Sequence, residues 1–131
     1  MKKSIKIFVI ISGLVLLSNV PPIRWIVYFG KDHVYSTAQG VIFEELPAFG
    51  APYKNVESNF IKYKYLLADK GDTILYRTFS KNALKFWNWY DYLYHPRYKL
   101  PYMNKDEMPK RNEKIYELYR QRYDSLQGIN R

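Results

Sequence analysis

The stretch Lys31-Asp32-His33-Val34-Tyr35-Ser36-Thr37-Ala38-Gln39-Gly40-Val41-Ile42-Phe43-Glu44-Glu45-Leu46 decides the fold class. Its β-branched and aromatic residues stand on either side of a Gln-Gly turn, which predicts a short β-hairpin. Pro47, Gly50 and Pro52 then mark a loop. Beyond it, Tyr53, Val56, Phe60, Tyr63 and Leu67 recur at spacings of three and four, so residues 54–69 read as a helix with one apolar stripe that Gly71 stops.

Further out, Thr73-Ile74-Leu75-Tyr76-Arg77-Thr78-Phe79 reads as the strongest strand of the chain, and Ser80 as the N-cap of a helix over 81–94. Pro96 ends that helix, and Arg97 to Tyr102 read as an extended, basic and aromatic loop. A last helix is expected over 106–127, with Pro109 in its first turn, Ile115, Leu118, Tyr119, Tyr123 and Leu126 on one face, and Arg111 and Arg122 interrupting that face. The order β-β-α-β-α-α predicts an α+β domain over 31–131, a small antiparallel sheet with two or three helices packed on one face.

The residues before the hairpin are of another kind. Lys2, Lys3 and Lys6 precede the apolar run Ile7-Phe8-Val9-Ile10-Ile11-Ser12-Gly13-Leu14-Val15-Leu16-Leu17. Cations followed by such a run outline a secretory signal or a membrane anchor, with the lysines left on the cytoplasmic side. A cleavage site is poorly formed: Leu16 occupies a slot that wants a small residue, and Pro21 abuts the later alternative. Residues 1–29 are therefore read as a signal peptide or an uncleaved anchor, slightly in favour of the anchor, with Trp25 at the membrane interface. The domain is then expected outside the cytoplasm, at the cytoplasmic membrane or, after cleavage, secreted or periplasmic.

Charge follows this division. The 131 residues carry a formal charge of +9, of which residues 1–30 hold +4, residues 31–80 none, and residues 81–131 the remaining +5. The excess is thus not gathered into one basic domain, which argues against nucleic acid as partner. The chain has no cysteine, which excludes disulfides, a thiol nucleophile and a Cys-type zinc site.

Chemistry-bearing residues are few. His33 and His95 are the only histidines and have no motif partner. Glu44 and Glu45 are neighbours on a strand, so they point to opposite faces and cannot act as a catalytic pair. The six glycines are scattered singly, which leaves no phosphate-cradling loop. No enzyme, metal or cofactor motif is found, and no cofactor is expected.

The segment Phe86 to Tyr102 stands out, with eight aromatics interleaved with Arg97 and Lys99 and preceded by Lys85. Laid out as a helix, Phe86, Trp87, Trp89, Tyr90, Leu93 and Tyr94 share one arc, which suits core packing. Tyr92, Tyr98 and Tyr102 fall off that arc. Together with His95, Arg97 and Lys99 they are the candidate interaction surface, since Tyr and Arg are enriched at binding hot spots. On this reading Tyr92→Ala, Arg97→Ala or Tyr102→Ala leaves folding intact and weakens partner capture.

The expected function is that of a small bacterial, membrane-anchored or exported, non-enzymatic interaction or accessory module with a protein partner. A glycan- or cell-wall-binding module that stacks sugars on exposed tyrosines is the alternative, and a small hydrolase the third.

Overall fold

A computed structural model describes residues 3–29, 31–67 and 72–128, apart from the side chains of Arg24, Trp25, Val27 and Phe29. The chain gathers into two compact units, one of residues 1–31 and 81–99, the other of residues 32–80 and 100–131. Residues 81–99, expected in the domain of the hairpin, group instead with the N-terminal helices.

In the second unit the hairpin forms as expected. Strand β1 (His33–Ser36) pairs antiparallel with β2 (Ile42–Glu45), in a register that sets His33 opposite Glu45 and Ser36 opposite Ile42. Thr37 closes the turn, accepting Gly40 N–H on its carbonyl at 3.1 Å and Val41 N–H on its hydroxyl at 3.2 Å. Gly40 adopts φ +80°, and a Cβ there would stand 2.3 Å from the Lys110 carbonyl oxygen, so the site needs glycine for two separate reasons. Strand β3 (Tyr76–Arg77) pairs antiparallel with the other edge of β1, which gives the order β2-β1-β3 and an α+β fold.

β3 is much shorter than the seven residues expected. The reason is Asp72, whose carboxylate takes the N–H groups of Ile74 at 3.0 Å and Ala38 at 2.7 Å, holding the approach as a turn rather than as a ladder.

Helix α3 (Tyr53–Leu66) matches its predicted stripe: Tyr53, Val56, Tyr63 and the following Leu67 are buried and Phe60 is half-buried. It packs between the sheet and helix α5 (Glu113–Leu126). Phe43 and Phe60 meet edge-to-face at 5.8 Å and join the cluster around Tyr35 to the cluster around Tyr63. On α5, Ile115, Leu118, Tyr119 and Tyr123 are half-buried, while Leu126 is exposed. The Tyr116 hydroxyl takes the Ile42 N–H at 2.7 Å and donates to its carbonyl at 3.0 Å, closing the free edge of β2. Arg122 donates to the Leu66 carbonyl and satisfies an end of α3.

α5 begins seven residues later than expected. Asn104 and Asn112 are the effective caps: the first closes a single 3₁₀ turn (Lys105–Glu107), and the second accepts the Ile115 N–H. Pro109 thus lies in the connection between them, not in a helical first turn.

The first unit holds helix α1 (Lys3–Ser18), helix α2 (Pro21–Phe29) and the aromatic segment. The helix expected over 81–94 is reduced to a 3₁₀ turn (Phe86–Asn88) and helix α4 (Trp89–Tyr94). Ser80 caps nothing here. Asn82 instead accepts the Leu84 N–H on its side chain at 2.9 Å and the Lys85 N–H on its carbonyl at 3.0 Å, so residues 82–85 turn before a helix can start.

Candidate functional site

Helix α1 is apolar on all sides and buries none of its residues. Phe8 and Leu16 are each 71 % exposed, and Ile5, Ile7, Val9, Ile10, Ile11, Leu14 and Leu17 are exposed with them. Lys3 and Lys6 lie exposed at its start, whereas Lys2 and the Trp25 side chain lie outside the described residues. Sixteen residues rise about 24 Å at 1.5 Å each, and among the described residues no helix is long and apolar enough to cross a membrane.

The end of α1 is tied to the aromatic segment through Asn19. Its side-chain amide donates to the Val15 carbonyl at 2.8 Å and to the Phe86 carbonyl at 3.0 Å, and its oxygen accepts the Tyr90 N–H at 3.0 Å. Tyr90 is in the first turn of α4, whose own cap residue Asn88 makes no side-chain cap bond. Asn19 therefore caps α4 from a distance. Asn88 is engaged elsewhere, accepting from Lys31 Nζ at 2.7 Å. Burial, with Lys85 and Arg97 nearby, lowers the Lys31 pKa from its ordinary value, partly offset by Asp91.

The expected interaction residues are not one exposed patch. Arg97 and Tyr98 are buried, at 2 % and 8 % exposure. The Arg97 guanidinium lies 4.6 Å from the centre of the Tyr28 ring of α2, and its Nε donates to His95 Nδ1 at 3.0 Å. Tyr98 stands edge-on to Tyr92 at 4.7 Å. The Tyr92 hydroxyl accepts from the Asn82 N–H at 3.2 Å and the Asn88 amide at 3.4 Å. Tyr92 and His95 are half-buried, Lys99 is exposed, and Tyr102 belongs to the other unit, where Arg77 lies 4.9 Å from its ring centre. Tyr92, His95, Arg97 and Tyr98 thus hold the first unit together, and Arg97 and Tyr98, expected in an extended loop, are turned inward on a 3₁₀ turn (Pro96–Lys99).

The converse holds for the predicted core arc. Leu93 is 70 % and Tyr94 63 % exposed, and Trp89 and Tyr90 are exposed with them. Only Phe86 and Trp87 of that arc are half-buried, against each other at 5.0 Å.

The adjacent glutamates divide as strand alternation expects, one to solvent and one to a hydrogen bond. Glu45 is fully buried, accepting from the Tyr35 hydroxyl at 2.6 Å with His33 Nδ1 at 3.7 Å, while Glu44 is exposed as the strand alternation requires. Alternation separates the two carboxylates, and the pairing of His33 with Glu45 across the hairpin marks which one is turned inward. On the surface of the second unit, Tyr65 and Leu126, 77 % and 64 % exposed, edge a shallow hollow between the ends of α3 and α5. Among the described residues no group of three or more His, Asp or Glu side chains could hold a metal ion. Neither protein-family models, curated proteins nor solved structures give a match to this chain.

Proposed function

We propose that the chain is a small non-enzymatic interaction module, held at the outer face of the cytoplasmic membrane by an uncleaved N-terminal segment. The exposed apolar surface of α1 carries this reading. A helix that is apolar all round needs either a protein core or lipid, and α1 buries no residue against the protein. A hydrophobic segment somewhat shorter than the bilayer is accommodated by local thinning and by lysines reaching to the headgroups, as Lys3 and Lys6 can. The Tyr65–Leu126 surface supports a protein partner, since an exposed tyrosine edging a hollow is of a type enriched at binding hot spots.

Intact mass of the protein from fractionated cells tests the reading. A mass that begins at Met1, in membranes and resistant to alkaline carbonate, is the expected result. A shortened chain in the soluble exported fraction would replace the anchor by a cleaved signal, and a full-length chain in the cytosolic fraction would remove the reading altogether.

A further inference from the structure

We infer that residues 81–99 form a second membrane-contacting element, lying in the headgroup region of an anionic phospholipid bilayer beside the end of α1; the inference rests on the anchoring proposed above. Depth comes first. Asn19 follows α1 directly and bonds both Phe86 and Tyr90, so α4 begins within one side chain's reach of the residue where α1 stops. With Lys3 and Lys6 on the cytoplasmic side, that residue lies at the outer boundary of the bilayer.

The exposed side chains suit that depth. Leu84 (85 % exposed), Leu93, Tyr94, Trp89 and Tyr90 would otherwise face water. Trp and Tyr are favoured where an apolar ring meets lipid and a polar tip meets headgroups. The Trp89 indole N–H already donates to the Ala83 carbonyl at 2.8 Å, so lipid around the ring strands no donor.

Charge then selects the partner. Lys81, Lys85 and Lys99 are exposed, and Asp91 is the one carboxylate of the segment. Three lysines beside an apolar cluster complement anionic headgroups. They would oppose one another in a symmetric contact between two copies, which favours lipid over self-association.

The absence of cysteine allows a single site to be labelled cleanly. Leu93→Cys, carrying a nitroxide, is placed in the full chain and reconstituted in vesicles of phosphatidylcholine and phosphatidylglycerol. Flotation confirms attachment, and circular dichroism confirms that helix content is unchanged. Collision with oxygen and with a water-soluble nickel chelate is calibrated against lipids labelled at the headgroup and along the chain. We expect the oxygen-to-nickel ratio to exceed its value for a label in buffer several-fold, at a depth just inside the headgroup standard. A floating chain whose Leu93 label collides with nickel as freely as in buffer overturns this inference and leaves the anchor standing. A chain that does not float overturns the anchor and the inference with it. Dipolar broadening that vanishes on dilution with unlabelled chain would place a second copy on this surface, and also overturns it.

Discussion

The side-chain oxygen of Asn19 accepts the backbone N–H of Tyr90 at 3.0 Å, although 71 residues separate them. A helix start leaves several N–H groups without partners, and a nearby Ser, Thr, Asp or Asn ordinarily takes one of them. Here the local Asn88 is occupied by Lys31, and the cap comes from Asn19, the residue that follows α1. The first unit is thereby closed through one amide.

Replacing Asn19 by Ala removes this cap and the bond to the Phe86 carbonyl together. We expect a loss of about 1–2 kcal/mol from the first unit. Amide exchange over residues 86–94 should accelerate, while the amides of α3 keep their protection.

Arg97→Ala should unfold the first unit more readily, rather than leave the fold intact. The guanidinium is buried against the Tyr28 ring, and its removal should cost at least about 2 kcal/mol through lost cation–π contact and packing. Tyr102→Ala, at a half-exposed ring over Arg77, should cost less than about 1 kcal/mol. All three tryptophans fall in the first unit, so tryptophan fluorescence during urea unfolding separates the two results.

At Gly40 a methyl group meets both a left-handed backbone and the Lys110 carbonyl, whereas Gly50, with φ +73°, faces open space. Gly50→Ala should cost about 1–2 kcal/mol, the strain of the left-handed conformation alone. Gly40→Ala should cost clearly more, because the Lys110 backbone must move. Thermal unfolding of the two variants in parallel checks the difference.

Tyr35→Phe removes one donor from a carboxylate that is fully buried. The cost should be about 1–3 kcal/mol, the penalty of leaving a buried polar group under-satisfied. A double-mutant cycle with Glu45→Gln should show that most of the loss disappears once the carboxylate is neutral.

Burial raises the pKa of the Tyr63 phenol above its ordinary 10.0. The folded state therefore holds this proton more tightly than the unfolded state does. The associated stability is intact below about pH 10 and is lost as pH rises from there through the raised folded value. Tyr119, raised by burial and by its neighbour Tyr123, acts in the same direction. We expect stability to fall with increasing pH in this alkaline range, and Tyr63→Phe to flatten the slope, as followed by far-UV circular dichroism with phenolate absorbance recorded in parallel.

Local pattern was enough for the hairpin, for the buried stripe of α3 and for the apolar N-terminal helix. Each rests on a repeat of two or three to four residues, or on an apolar run, which the chain carries within a short window. The same alternation separates exposed Glu44 from buried Glu45. What failed locally failed where polar side chains compete for backbone groups. Asn82 turns the chain before α4, Asp72 shortens β3, and Asn112 displaces Asp106 as the start of α5.

Which aromatics are covered could not follow from helical spacing, because residues 81–94 are one continuous helix only on a helical wheel. Tertiary contacts decided it: Asn19 holds α4 from 71 residues away, Arg97 turns in to Tyr28, and Leu93 and Tyr94 turn out. The sequence by itself determined the hairpin, the helices α3 and α5 and the apolar character of the N-terminus. Only the tertiary structure decided which tyrosines are surface, since burial depends on long-range hydrogen bonds and packing that no local periodicity records.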